Sequence, residues 1–563
     1  MIARASYANP QKYFFVFFFF ILALSSLLRF FNLTNQGLIF YDEAAMVYRA
    51  HQFIEFFNQP DAAPALRASV FDTKVLWILT LVLFFKSCLV NYTTVHILSA
   101  AFGLLTIITA FIFALKYYGS RAAALFTAAL LAICSSHVFY SRLALPESMA
   151  TFLVLICFLF YLFSQRGQRG FVYLAGLFGA LAFLTIRWRV ILLPLMILLM
   201  EWDCYYPKGG FPVAGRWRFT KFLLMLAGIL LFYEAVLHIV NKQLAWPLPS
   251  YFESLGMNAQ EHRWVWPSLW SFMTYPFYLL ESEGLLMAAL FFMGGFFLRH
   301  KPSTRLPFSF VLLQMLVSSL MDEKTARSLS VVLPFVAMTA AVVLLNLRDL
   351  FHRLKWKIAY PVVVAAVIAS GLSFSVLVLF FRSDYRAASR WIEDTYTDSR
   401  ILTVNPYNTI LYSSDATVAV YSINSLEDLQ AFHAKGYQTI LVGPQKFIKK
   451  PNLEQEMEGS SPYFIERIEQ ICQPVKKFPH FTPILMKRFL FEHTNPDLPD
   501  LQRVLGSLNA RSGQLMIYDI DSCLQELQRS TEIPSQKLYE VFVFYPDKAP
   551  EKKVFRQQGP KTR

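Results

Sequence analysis

Between residues 13 and 381 the chain returns repeatedly to apolar runs of nearly span length, separated by short charged connections. A helix needs about 20 residues to cross a hydrocarbon core roughly 30 Å thick. In that medium every backbone polar group must be satisfied internally, so such runs fold as helices. Candidate spans are 13–31, 93–115, 122–140, 147–164, 171–186, 190–202, 221–241, 275–298, 306–321, 328–346 and 357–381. Composition agrees: 55% of residues are hydrophobic and only 16% charged, which excludes an ordinary soluble globular protein. The first run lacks a small-x-small cleavage site and many spans follow it, so it reads as a permanent first helix rather than a signal peptide.

The net charge of +14 suggests a nucleic-acid partner until its distribution is examined. Residues 383–563 hold 22 Lys+Arg against 22 Asp+Glu, whereas residues 1–382 hold 30 against 16. The excess sits in connections between spans, where basic residues mark the cytoplasmic side. Nucleic acid is excluded as a partner; the partner implied is the lipid bilayer. Basic connections at 1–12, 116–121, 165–170, 203–221, 299–305 and 347–357 place the N-terminus inside. About eleven crossings then place everything after residue 382 outside. The apolar stretch 75–90 would invert every later loop if it crossed. It is expected to make no net crossing and to lie as a shallow, tilted or re-entrant helix on the outer side. The short pieces 171–186 and 190–202 meet at "RWR", as two half-length helices would with their shared tip outside.

The fold class is therefore a polytopic α-helical membrane protein with short outer juxtamembrane helices, over residues 1–382, followed by an extracytoplasmic α/β domain over 383–563. In that domain "RILTV", "TVAVYS" and "QTILVG" read as strands, and "SLEDLQAFHAKG" reads as a helix with a serine cap and a glycine stop. Strand alternating with helix implies a partly parallel sheet. "KLYEVFVFYP" is expected as a late strand and the basic tail after Lys548 as a flexible end. The six cysteines form no metal-type cluster. Cys472 and Cys523 can pair in an oxidising compartment, and two free thiols are equally compatible with the sequence.

Three sets of polar residues stand out on the predicted outer face. Asp42 and Glu43 in "GLIFYDEAAMVY" are the first acidic residues after the first span, amid apolar and aromatic neighbours. Adjacent carboxylates gain nothing for a helix, but a partly desolvated one is a competent general base. Arg142 and Glu147 lie in the short connection "SRLALPES". Lys74, Arg187, Arg189, Lys324 and Arg327 run against the positive-inside trend. Singly each reads as a snorkelling residue; together they suit an anion, because a guanidinium can bond two phosphate oxygens. One base and several cations at the outer surface imply a lipid phosphate as substrate.

These motifs resemble the superfamily of membrane glycosyltransferases of the GT-C fold that use polyprenyl-phosphate sugars, which includes protein O-mannosyltransferases and lipid A aminoarabinose transferases. "YDEAAMVYRA" is similar to their first outer loop, "SRLALPESM" to their second outer motif, and "TARSLSVVLPFVAMTAA" to the late helix that meets the donor phosphate. "DYRAASRWIED" resembles the segment opening the outer domain of bacterial members. The resemblance implies an inverting transfer from a polyprenyl-phosphate-linked sugar donor to an acceptor that is a protein, lipid A or another glycan. It implies Asp42 as base with Glu43 beside it, Arg142 and Glu147 as organisers, and Lys74, Arg187, Lys324 and Arg327 as contacts to the donor phosphate. The chain departs from the family at "TKVLW", where two prolines usually follow the Lys or His, and at Glu147, where aspartate is common. The second departure leaves a divalent metal open, while no obligatory cofactor is expected. A bacterial inner membrane is the expected location; an endoplasmic reticulum membrane gives the same topology. The rival readings are a flippase for a lipid-linked sugar, using the same cations without a base, and a non-catalytic scaffold for the outer domain.

Overall fold

The computed structural model describes residues 10–38, 41–58, 74–87, 92–186, 188–205, 213–243, 269–297, 302–321, 326–356, 358–380, 383–396, 400–403, 418–419, 425–442, 461–479, 514–529, 541–545 and 548–553. All eleven apolar segments are helical. They run as α1 (Pro10–Phe30), α4 (Tyr92–Tyr118), the pair α5 (Arg121–Ala132) and α6 (Ser135–Arg142), α7 (Glu147–Gln165), α8 (Phe171–Thr185), α9 (Leu193–Tyr205), α10 (Val213–Gln243), α11 (Leu269–Phe297), α12 (Pro302–Ser319), α13 (Leu333–Arg353) and α14 (Ala359–Leu379). Outside them lie α2 (Tyr41–Asn58) and α3 (Val75–Ser87), the latter being the segment set apart in the sequence. Seven of the described helices are long and apolar enough to cross a membrane, and the bent pair α5–α6 makes an eighth if counted as one span. The chain is a polytopic helical membrane protein. Of the Trp-, Tyr- and Pro-rich stretch 242–274, residues 244–268 lie outside the described residues.

Position within the bundle follows side-chain character. The span Ala326–Arg353 is 94% buried inside the protein, whereas the spans containing α1 and α14 are each 17% buried. Phe15, Phe17, Phe19 and Phe20 of α1 face outward, as an apolar surface meeting lipid tails should. At the centre, Phe158 of α7, Phe310 of α12 and Phe335 of α13 form a ring triangle with centroids 5.0 to 5.2 Å apart. Lipid tails are as apolar as leucine, so helix association here rests on close packing rather than on exclusion of water. Small residues supply it. A Cβ built on Gly176 of α8 would lie 2.7 Å from Met225 Cβ of α10, while one on Gly228 of α10 would meet nothing within 4 Å.

The span 122–140 is not one helix. It breaks at Ile133–Cys134 and bends by 57°. A break leaves orphan carbonyls at the end of α5 and orphan N–H groups at the start of α6, and the bilayer interior offers no water to satisfy them. Arg29 of α1, fully buried, donates to the carbonyls of Leu131 (3.4 Å) and Ala132 (3.2 Å), to Ser25 Oγ (2.7 Å) and to His137 Nδ1 (2.6 Å). Ser375 donates to the Ile133 carbonyl at 2.8 Å. On the other side, the Glu283 carboxylate accepts the N–H groups of Ser135 (2.8 Å) and Ser136 (2.9 Å). Gly284 follows it with φ 78°, interrupting α11 where a Cβ would also meet Phe374 at 2.8 Å. A buried arginine and a buried glutamate thus cap the two halves of the break.

After α14, helix α15 (Tyr385–Thr395) leads into an α/β unit. Its strands β1 (Arg400–Thr403), β2 (Val418–Ala419), β3 (Tyr437–Val442), β4 (Lys476–Pro479), β5 (Gln514–Asp519), β6 (Val541–Tyr545) and β7 (Lys548–Lys553) form one sheet in the order β4-β5-β3-β1-β2-β6-β7. β1 is parallel to β2 and β3, and the remaining pairs are antiparallel. Alternation assigns the faces. Leu402 and Ile440 pack under α16 (Leu426–His433), α17 (Ser461–Ile471) and α18 (Ile520–Arg529). Ile401 and Leu441 face the other way, packing with Tyr385, Ala388 and Ile392 of α15 and with Tyr48 of α2. The α16 start is a capping box between Ser425 and Asp428, and Gly436 after it has φ 87°. The tail expected to be flexible after Lys548 includes β7, because its backbone groups complete the open edge of β6. Cys472 and Cys523 are paired as a disulfide, with 5.1 Å between their Cα atoms.

The close approach at Gly176 makes a direct prediction. Gly176→Ala should destabilise the purified protein by about 1–3 kcal/mol through overpacking, whereas Gly228→Ala should be neutral or slightly stabilising; thermal midpoints in detergent decide it.

Candidate active site

The first turn of α2 carries both members of the acidic pair. Neighbours on a helix point about 100° apart, so the two carboxylates face different surroundings. Asp42 is 32% exposed; its Oδ2 accepts from Arg327 Nη1 at 2.6 Å and lies 3.9 Å from Lys74 Nζ. Glu43 is fully buried and turns inward. Its Oε1 accepts the Ala144 N–H at 2.6 Å and lies 3.4 Å from His96 Nε2.

Glu147 opens α7, where a helix N-terminus favours negative charge. It is fully buried, and its Oε1 accepts from Arg327 Nε and from Arg189 Nη1, both at 2.7 Å. Arg327 and Arg189 sit on short 3₁₀ turns, Ala326–Val332 and Trp188–Val190, at the ends of apolar segments. Their guanidinium planes offer forks that can serve more than one oxygen. Asp42, Lys74, Glu147, Arg189 and Arg327, spread over 285 residues of sequence, thus meet in one ion-paired cluster. Three cations against two carboxylates leave one positive charge in excess. Burial pushes the Lys74 ammonium down to about 8, against the opposing pull of Asp42.

The fold does not consume all of the cluster's polar atoms. Glu147 Oε2, Arg189 Nε and the Tyr140 hydroxyl are buried without a hydrogen-bond partner among the described residues. Tyr140 lies within electrostatic reach of Arg327, Glu147 and Arg189. A small cavity adjoins the cluster, lined by Arg189 and Gln314 together with Val154, Val190, Met196 and Val332.

Not every residue singled out in the sequence joins this cluster. Arg142 ends α6 and points to α1, where its Nη1 donates to the carbonyls of Leu28 (3.2 Å), Arg29 (3.2 Å) and Phe31 (2.8 Å). It caps the first span at the point where its C-terminal carbonyls run out of partners. Glu43 is likewise a structural neighbour of Asp42 and not a second group of the cluster. Arg187 and Lys324 lie outside the described residues. Sequence reasoning missed His96 and Tyr140. His96 carried a signal, since an ionisable residue at the start of an apolar span is a functional candidate by default; Tyr140 was hidden inside an aromatic-rich run. Among the described residues no three metal-binding side chains gather into a site.

No protein-family model matches the chain, and no curated protein matches it. Solved structures do. The chain superposes on the crystal structure of ArnT from Cupriavidus metallidurans in the apo state with a TM-score of 0.54 at 13% identity, covering 92% of this chain and 99% of that one. The same protein bound to undecaprenyl phosphate gives 0.52 at 12% identity with the same coverage. An oligosaccharyltransferase of Archaeoglobus fulgidus, tethered to an acceptor peptide, gives 0.48 at 9% identity, covering 77% of this chain and 69% of that one. Coverage of 92% of the chain carries the likeness to ArnT from the bundle into the α/β unit, so the chain shares that fold over nearly its full length, in line with the GT-C resemblance of its motifs.

Arg327→Ala should leave Glu147 buried with half its compensation and cost about 3 kcal/mol. Adding Glu147→Gln to the same chain should recover part of that loss, because the uncompensated charge is then gone. Thermal midpoints of the two variants beside wild type test the bridge.

Proposed function

We propose that the protein is a glycosyltransferase that moves a sugar from a polyprenyl-phosphate-linked donor to an acceptor hydroxyl or amine at the outer face of the membrane, with inversion at the sugar carbon. The observation that carries this reading is the cluster itself: an accessible carboxylate held beside three cations with positive charge to spare. Full-length likeness to a fold that binds undecaprenyl phosphate in ArnT supports it.

The two carboxylates of the cluster divide the work. Buried Glu147 holds Arg189 and Arg327 in place, and Asp42, a third exposed, is the one an acceptor reaches. Asp42 takes the proton of the acceptor. The freed oxygen or nitrogen attacks the anomeric carbon from the face opposite phosphate. The bond from that carbon to the phosphate oxygen breaks, and polyprenyl phosphate leaves with the electron pair. Lys74, Arg189 and Arg327 neutralise charge as it develops on the phosphate, which is the larger part of catalysis for a leaving group of this kind. No divalent metal is obligatory in this scheme, because Arg327 already bridges Asp42 and Glu147. Turnover is expected to survive chelation.

The outer-face placement rests on the charge of the opposite helix ends and on the Cys472–Cys523 disulfide, which suits an oxidising compartment. A bacterial inner membrane with a cytoplasmic N-terminus and a periplasmic α/β domain fits both.

Turnover of radiolabelled polyprenyl-phosphate sugars by purified protein, with a membrane extract as acceptor source, tests the reading. Asp42→Asn should lower label transfer by at least about 100-fold while lipid binding is kept. Transfer that persists in Asp42→Asn rejects Asp42 as base, and translocation without transfer favours a flippase. The Lys74 value makes a second prediction. A phosphodiester donor does not titrate near neutrality, and Lys74 is cationic below about 8. Donor affinity should therefore fall by about tenfold as pH rises from 7 to 9.5, and Lys74→Arg should flatten that profile because a guanidinium stays charged.

A further inference from the structure

The glycosyltransferase reading leaves Glu43 without a chemical task, although it sits next to the proposed base. Its surroundings give it another one. The Ala144 N–H, bonded at 2.6 Å, belongs to the turn that joins α6 to α7, three residues before Glu147. That turn is held from other sides too: Ser99 of α4 donates to the Leu145 carbonyl at 3.4 Å, and Gln36 donates to the Arg142 carbonyl at 2.9 Å. His96 stands one turn before Ser99 on the same helix, its Nε2 3.4 Å from the oxygen of Glu43 that holds Ala144. Both side chains are within 1% of fully buried.

A carboxylate in that position acts as a pin between elements. Asp42 and Glu43 are fixed relative to each other by the helix, so whatever fixes Glu43 fixes the rotation of α2 about its axis. That rotation decides where the Asp42 carboxylate points. The same oxygen fixes the start of α7, which decides where Glu147 lies. The Arg327 bridge, at 2.6 Å to Asp42 and 2.7 Å to Glu147, closes only if both are in place. His96 Nε2 stands within ion-pair reach of the same Glu43 oxygen, which sets α4 against both α2 and the turn.

We propose that Glu43 and His96 form a buried positioning pair that sets the rotation of the Asp42 helix and the start of the Glu147 helix, and so the spacing of the two carboxylates that share Arg327. The functional consequence rests on the glycosyltransferase reading; the geometry does not.

The test uses the full-length protein in detergent with two readouts. The first is the rate at which a carbodiimide and an amine label Asp42, followed by peptide mass spectrometry. The second is kcat and KM for transfer from a polyprenyl-phosphate sugar. Glu43→Ala and His96→Ala should each speed Asp42 labelling at least threefold and lower kcat about 10- to 100-fold with KM changed less than threefold. The double variant should fall no further than the worse single one, because the two act as a unit. Glu43→Gln, whose amide oxygen still accepts the Ala144 N–H, and His96→Gln, which keeps a side-chain donor, should stay within threefold of wild type in both readouts. If Glu43→Ala does not yield monodisperse protein, the two His96 variants carry the test. Wild-type labelling of Asp42 in His96→Ala overturns the pair, as does a double variant whose losses simply add. A wild type that labels as expected but transfers no sugar rejects the glycosyltransferase reading and leaves the pair standing.

Discussion

Arg327 is the point on which the candidate site converges. Its Nη1 reaches Asp42 at 2.6 Å and its Nε reaches Glu147 at 2.7 Å, so one planar group ties α2 to α7. A lysine could not do this, since a single ammonium lacks the fork. Taking a guanidinium out of water costs several kcal/mol, and only good geometry with satisfied partners offsets it. That demand orders the neighbourhood. Glu147 must stand at the start of α7, the 143–146 turn must hold still, and α2 must present Asp42 at one rotation. The ordering also leaves Asp42 partly open to solvent with a cationic surplus around it, which is what a negatively charged lipid headgroup would meet.

A second buried charged cluster shows what a purely structural arrangement looks like in the same protein. Arg29, His137 and Glu283 lie around the break between α5 and α6. Arg29 spends its donors on Leu131 and Ala132 carbonyls, and Glu283 accepts the N–H groups of Ser135 and Ser136. These partners are backbone groups that the break would otherwise abandon in hydrocarbon. The Asp42–Glu147–Arg327 cluster differs in kind. Its partners are side chains, it sits at helix ends, and its Asp42 carboxylate stays a third exposed. The first cluster is enclosed, whereas the second keeps one carboxylate, Asp42, within reach of solvent. The α/β unit bears on this site too, because Tyr48 of α2 packs with α15 and the sheet.

The broad architecture was written in local pattern. Runs of apolar residues mark the spans because a hydrocarbon slab demands about 20 of them, whatever the partners. Strand and helix in the α/β unit followed from alternation, a serine cap and a glycine stop, all of which act within a few residues. The grouping of Asp42, Lys74, Glu147, Arg189 and Arg327 was also legible, because the three cations run against the positive-inside trend and the two carboxylates stand beside apolar segments on the same side. Two placements were not legible, for one reason. Arg142 and Glu43 have the residue types of site groups, but their roles are set by what lies opposite them, the carbonyls of α1 and the N–H of Ala144. No spacing rule encodes those partners.

By itself, then, the sequence determined that this chain spans a membrane many times, which connections carry the basic excess, and which polar residues stand at the ends of apolar segments. Those properties come from the solvent, and the solvent acts on each segment separately. Only the tertiary structure decided that the span 122–140 is broken and capped by Arg29 and Glu283, that Arg327 joins Asp42 to Glu147, and that the two adjacent carboxylates of "YDEA" part company, one toward the cations and one toward His96. Such choices depend on contacts between residues far apart in the chain, where a rotation of one helix settles which of two neighbours faces the site.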